Sequence, residues 1–160
     1  MERGGVSLKC LLQKSDPFSE PNCSDNGCPV CRVTVGGQKN CQKGGCTTSN
    51  VGYVVTCLDC QEGGKEARYE GESSRAFRIR VAEHLRDVRL KNENSGIYRH
   101  ARDQHAGECP NLRFQVRKCF RDPLTRQVNE GVRISLADDD NLMNTKQEWV
   151  PPVVNRVLVV

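Results

Sequence analysis

Residues 51–71 read VGYVVTCLDCQEGGKEARYEG, and the fold is decided here. The stretch VGYVVTC is rich in β-branched and aromatic residues and reads as a strand, as does ARYEG at 67–71. A Gly- and Cys-rich connection makes the two a hairpin. Further along, Ser73 or Ser74 is placed to cap a helix reaching about position 90, with Phe77, Val81, Leu85 and Val88 on one face. Ser95 caps a second helix that runs through about position 105, and Gly107 is its stop. Leu112, Phe114 and Val116 alternate with polar residues as a third strand. Asp122-Pro123 opens a third helix, because proline is favoured at the first helical position. Leu124, Val128 and Val132 are its expected buried face, and it ends near Ser135. The order β-β-α-α-β-α makes an α+β domain, a short sheet flanked by helices, over residues 50–150.

Outward from this domain the composition changes. Residues 1–22 are a polar lead-in broken at Asp16-Pro17 and Glu20-Pro21. Residues 23–49 are rich in Cys, Gly, Asn and Ser and hold too little apolar surface for a core of their own, so a metal is expected to hold them. Residues 151–160 form a tail that, with Trp149 just before it, ends in a valine-rich run expected to pair as an edge strand. The whole chain has 160 residues and is 36% hydrophobic, enough for one modest core. No apolar run approaches the ~18 residues of a membrane span. The opening Met1-Glu2-Arg3-Gly4-Gly5 lacks the apolar segment of a secretory signal, which leads to the expectation of a nuclear or cytoplasmic protein, not a secreted one.

Ten cysteines mean either disulfides or metal sites, and a reducing interior favours zinc. Spacing agrees. Cys28 and Cys31, like Cys57 and Cys60, are separated by two residues, so each pair can reach one tetrahedral Zn²⁺ across a tight turn. Cys23, Cys28 and Cys31 then need a fourth ligand, which is Cys46 or, as the alternative, Cys41. Cys46 is preferred because it directly precedes the first strand. Cys10, Cys109 and Cys119 fit neither group and read as free thiols.

Charge is unevenly spread. Residues 75–121 carry twelve Lys/Arg against five acids, within a chain of net charge only +4. A polyanion is the natural partner of such a segment, although charge alone favours a solvated helix face and carries no nucleic-acid claim unaided. Arg75, Arg78, Arg86, Arg89 and Lys91 are the candidate DNA contacts.

The pattern as a whole resembles the GIY-YIG nucleases. Val51-Gly52-Tyr53 and Tyr69-Glu70-Gly71-Glu72-Ser73 look like their two signatures, departing at Val51, Gly52 and Glu70 while keeping both tyrosines and Gly71. Arg80 and His84 follow on the first helix, Glu130 on the third, and Asn144 near the end of the domain. The runs YEGESSR, RVAEH, DPLTRQVNEGVRI and LMNTKQEW are most similar to the endonuclease domains of Penelope-like retroelements.

That resemblance implies a DNA endonuclease that hydrolyses phosphodiester bonds, with Tyr53, Tyr69, Arg80, His84, Glu130 and Asn144 at its centre. Arg80 and His84 stand at i and i+4 and so share one helical face. An arginine there can fork two donors onto phosphate oxygens as charge builds. Glu130 would hold one Mg²⁺ or Mn²⁺. Tyr53 would take the proton of the attacking water, helped by Tyr69 and His84, although free tyrosine with a pKa of about 10 is a poor base. The same resemblance implies a Cys57–Cys60–His100–His105 zinc site. It also implies a parent element in which a reverse transcriptase extends the nicked target. The alternative is an inactive, zinc-stabilised nucleic-acid-binding module that uses only its basic surface.

Overall fold

The computed structural model describes residues 28–32, 34–35, 38–39 and 45–145. A short helix α1 (Pro29–Arg32) precedes a two-residue ladder of β1 (Thr34–Val35) and β2 (Gln38–Lys39). The centre is an antiparallel sheet in which β3 (Val51–Cys57) lies between β4 (Arg68–Ser73) and β5 (Leu112–Cys119). As the middle strand, β3 is buried everywhere except the half-exposed Thr56. The register with β4 sets Tyr53 opposite Gly71 and Val55 opposite Tyr69. The connection between β3 and β4 is not plain loop, for it contains the short helix α2 (Leu58–Glu62). Asp59 in α2 accepts from the main-chain N–H and the side-chain amide of Asn111, tying α2 to the start of β5.

Alternation splits β3 between two layers. Val51, Tyr53, Val55 and Cys57 share a core with Phe77, Val81 and Val88 of α3 (Phe77–Arg89) and with Ile97, Tyr98 and Ala101 of α4 (Gly96–Gln104). Cys28, Val30 and Cys46 belong to the same core, so the upstream segment packs onto the domain instead of standing apart from it. The opposite face of the sheet meets α5 (Pro123–Leu136). Gly52 lies on that face at a register shift against β5. A Cβ there would sit 3.1 Å from the Phe120 ring, so this strand-interior glycine marks a bulge.

Two caps stand where the sequence placed them. Ser95 accepts from the Tyr98 N–H, and Asp122 from the Thr125 N–H. The start of α3 differs. Ser73 closes a tight turn on Arg75 instead of capping, the helix begins at Phe77, and its first N–H is satisfied by the Thr48 carbonyl.

The buried face of α5 is also corrected. Leu124 and Val132 are exposed and Val128 is half-buried, whereas Arg126 and Ile134 are buried and Glu130 lies between them, half-buried. The reason is what the helix meets. β4 turns Glu70 and Glu72 toward this side, and a buried carboxylate needs a cation more than it needs a valine. Arg126 answers Glu72, and Arg117 answers Glu70 at 3.3 Å. After α5 the chain returns along the outer edge of β4, where Leu142 bridges Arg68 in parallel. The expected valine-rich edge strand and Trp149 lie outside the described residues. Among the described residues no helix is long and apolar enough to cross a membrane.

Candidate functional site

Tyr53 is the hub of the first site. Its ring packs against Phe77, with centroids 5.1 Å apart, and reaches across β4 at the one residue that permits it. A Cβ on Gly71 would lie 2.5 Å from the Tyr53 hydroxyl. The hydroxyl lies 2.7 Å from His84 Nε2 and accepts from Arg80 Nε at 3.2 Å. Arginine can only donate, so the phenol proton is free to donate to His84. Burial, with Arg80 beside it, pushes His84 down to about 3, which leaves the ring neutral and able to accept. Burial and Tyr69 raise the Tyr53 pKa above the usual phenol value, while Arg80 works against them. Tyr69 joins the same group, stacked on Tyr53 at 6.4 Å between centroids and edge-on to His84 at 5.1 Å.

The site opens at the outer edge of β4. Glu130 approaches from α5, and its carboxylate accepts from the Glu72 main-chain N–H. Burial and the neighbouring Glu72 carboxylate push Glu130 up to about 7, although Arg80 and Arg126 pull it back. Arg126, one turn before Glu130, bonds both Glu72 and the side chain of Asn50, which fixes α5 at this height on the strand. Asn144 takes the neighbouring place along the same edge. Its amide accepts from Glu70 N–H at 2.8 Å and donates to Glu70 O at 2.9 Å, so it caps the edge of the strand and does not bond Tyr53 or His84. A depression of about 100 Å³ beside this group is lined by Tyr69, Arg80, His84, Asp87 and Asn92.

Arg75, Arg78, Arg86, Arg89 and Lys91 are all exposed, in the turn before α3, along that helix and just after it. Arg75 grips Glu83 with two nitrogens, at 2.5 and 2.7 Å, and Arg80 Nη1 reaches the same carboxylate at 3.1 Å.

The second site lies at the end of β3. The donor atoms of Cys57, Cys60, His100 and His105 all fall within 4.8 Å of one another. His105 Nε2 lies 3.3 Å from each of Cys57 Sγ, Cys60 Sγ and His100 Nε2, and Cys60 Sγ lies 3.5 Å from His100 Nε2. A tetrahedral Zn²⁺ with Zn–N near 2.05 Å and Zn–S near 2.3 Å has edges of about 3.3–3.8 Å, the N···N and N···S edges being the shorter ones. The four residues could hold a metal such as zinc. The five-residue histidine spacing works because α4 ends between them. His105 has left helical geometry at φ −131°, and Ala106 and Gly107 follow with positive φ. Burial pushes the Cys57 thiol up to about 11, so a cation is needed to hold it as thiolate. A larger cavity of about 830 Å³ adjoins this cluster at Cys60 and His100, with Thr145 on its rim. Asn144 also lines it, whereas Tyr53, Tyr69, Arg80 and His84 do not.

Of the upstream cysteine set, Cys28 and Cys46 are fully buried in the core. Cys23 and Cys41 lie outside the described residues, as does the side chain of Cys31. Cys109 and Cys119 are free thiols, as expected. Sequence reasoning passed over Glu72, Glu83 and Arg126. Glu72 and Glu83 sit inside the quoted motifs YEGESSR and RVAEH, beside residues that were chosen. Comparison with protein-family models, with curated proteins and with solved structures finds no match to this chain.

Proposed function

We propose that this chain is a GIY-YIG-type DNA endonuclease that nicks a target by divalent-metal-dependent hydrolysis. The observation that carries the reading is the Tyr53 hydroxyl held between Arg80 and His84, with Glu130 feeling the charge of Arg80 from another element. Residues distant in sequence meet with complementary roles. Arg80 offers positive charge to a phosphate and, through Nε, to the Tyr53 oxygen. Neutral His84 accepts the Tyr53 proton, so Tyr53 can take one from water without first existing as free phenolate. Arg126 already answers Glu72, so the half-buried Glu130 carboxylate is the one that suits a cation. Mg²⁺ or Mn²⁺ held by Glu130 would supply Lewis-acid stabilisation of the phosphate. Exposed Arg75, Arg78, Arg86, Arg89 and Lys91 would follow the DNA backbone. In a retroelement a reverse transcriptase would extend the nicked strand.

The test is plasmid nicking by purified protein with and without Mg²⁺. Nicking is expected only with the metal, and Glu130→Gln should abolish it while leaving DNA affinity near wild type. Wild-type protein that binds DNA in a salt-dependent manner but nicks no substrate would establish the binding-module alternative.

A further inference from the structure

Arg80 has work to do only if its guanidinium is aimed. An arginine side chain carries about 2 kcal/mol of rotamer entropy, so on a helix surface it samples many directions. Here two of its nitrogens are engaged at once, Nε on the Tyr53 oxygen and Nη1 on Glu83. Glu83 lies one turn further along the same helix, the spacing at which two side chains meet. It is itself held by the fork of Arg75, which takes both carboxylate oxygens. The result is a fixed series running from the turn after β4 to the catalytic tyrosine: Arg75, Glu83, Arg80, Tyr53, His84. An acidic residue among arginines at a DNA-facing surface opposes phosphate binding, so affinity for DNA gives no reason for it to be there.

We propose that Glu83 is the positioning residue of the site: its carboxylate aims Arg80 at Tyr53 and the reacting phosphate. The proposal rests on the nuclease reading above and adds to it a group that touches neither DNA nor metal. It separates rate from affinity. Glu83→Ala removes the aim of Arg80 and one negative charge from the DNA face. The nicking rate at saturating DNA should fall about tenfold or more, while DNA affinity stays level or tightens. Glu83→Gln keeps an oxygen acceptor for Arg80 and should recover much of the rate. Because Glu83 acts through Arg80, the double variant Glu83→Ala/Arg80→Ala should be no slower than Arg80→Ala alone.

The experiment is single-turnover nicking and DNA binding for this series, together with the NMR signal of the Arg80 Nε–H, which the Tyr53 bond should protect from exchange. Loss of that protection in Glu83→Ala, with the rate and affinity pattern above, supports the role. Glu83→Ala nicking at the wild-type rate, or additive losses in the double variant, overturns it. If wild-type protein does not nick, the nuclease reading falls, and the aiming of Arg80 is judged on the NMR signal alone. Protection kept in Glu83→Ala then overturns it, and protection lost leaves it standing. Glu83 is a partly exposed helix position and alanine is the best helix former, so both variants are expected to fold.

Discussion

Two sites share one face of one strand, four residues apart, and they are held in opposite ways. At Cys57 thiols and imidazoles lie 3.3–3.5 Å from one another, as the corners of a metal's coordination sphere do. At Tyr53 the centre is filled. The hydroxyl itself occupies the meeting point, fixed by Phe77 packing, by Gly71 lacking a Cβ, and by bonds to Arg80 and His84. The first corner could hold an ion such as zinc, whereas the second is filled by side chains of the fold itself. A cluster that could hold a metal and the proposed active site thus share a strand.

The largest expected effect breaks this comparison at the metal corner. His105→Ala removes the residue that touches the other three donors. Metal content should fall by about one equivalent per chain. Because ligand-bound metal contributes directly to folding free energy, the melting temperature should drop on the order of 10 °C or more. Calorimetry and metal analysis check it. An unchanged melting temperature with the metal gone would mean that the core holds this corner without a staple.

Arg80→Ala should do the reverse. It leaves the metal content intact and removes a donor from the developing charge, so nicking should fall about 10²–10³-fold, by analogy with a lost oxyanion donor at roughly 2.7–4 kcal/mol. Rates at saturating DNA, with the melting temperature as control, separate the two corners.

Glu130 tests whether the tyrosine corner stores strain for its work. Its folded pKa of about 7 lies above the usual carboxylate value. The folded state therefore binds the extra proton between about pH 4.5 and 7, and stability contributed by the protonated form is lost as pH rises through that window. Without divalent metal the loss is on the order of 3 kcal/mol. Glu130→Gln should then melt higher than wild type at pH 8 and show no such pH dependence, even as its nicking disappears. A lower melting temperature at pH 8 would show that the charge is already balanced.

Much of the frame was legible in the sequence. Val51–Cys57 is a strand as its residue types predict, and Ser95 and Asp122 cap because short polar side chains before apolar periodicity have few other uses. The metal corner was partly legible, since two cysteines two apart announce themselves. His100 and His105 came only through resemblance, because whether a helix ends between them depends on Gly107 and on packing. The face of α5 misled for a definite reason. The apolar stripe Leu124–Val128–Val132 obeys the amphipathic rule, but the sheet below it presents Glu70 and Glu72, and no pattern local to the helix reports what lies opposite. Arg126, Glu72 and Glu83 were missed in the same way, since charged residues look solvated until register brings them together.

The smallest effect compares two glycines, one at each corner. Gly64 stands in the turn after α2 at φ +77°, with nothing within 4 Å of where a Cβ would be. Gly64→Ala therefore meets only the backbone cost of a left-handed alanine, about 1–2 kcal/mol. Gly71 sits in the strand with ordinary backbone, and its Cβ would strike the Tyr53 hydroxyl. Tyr53 is 1% exposed and pressed between Phe77 and His84, so it has nowhere to retreat. Overpacking of this kind costs about 1–3 kcal/mol, so the two variants should lose similar stability. They should part on chemistry. Gly71→Ala displaces the hydroxyl from Arg80 and His84 and should lose most nicking, whereas Gly64→Ala leaves that geometry alone and should nick at a rate close to wild type once folded. Equal rates in two equally destabilised variants would show that the position of Tyr53 does not set the rate, and the filled corner would then be core rather than active site.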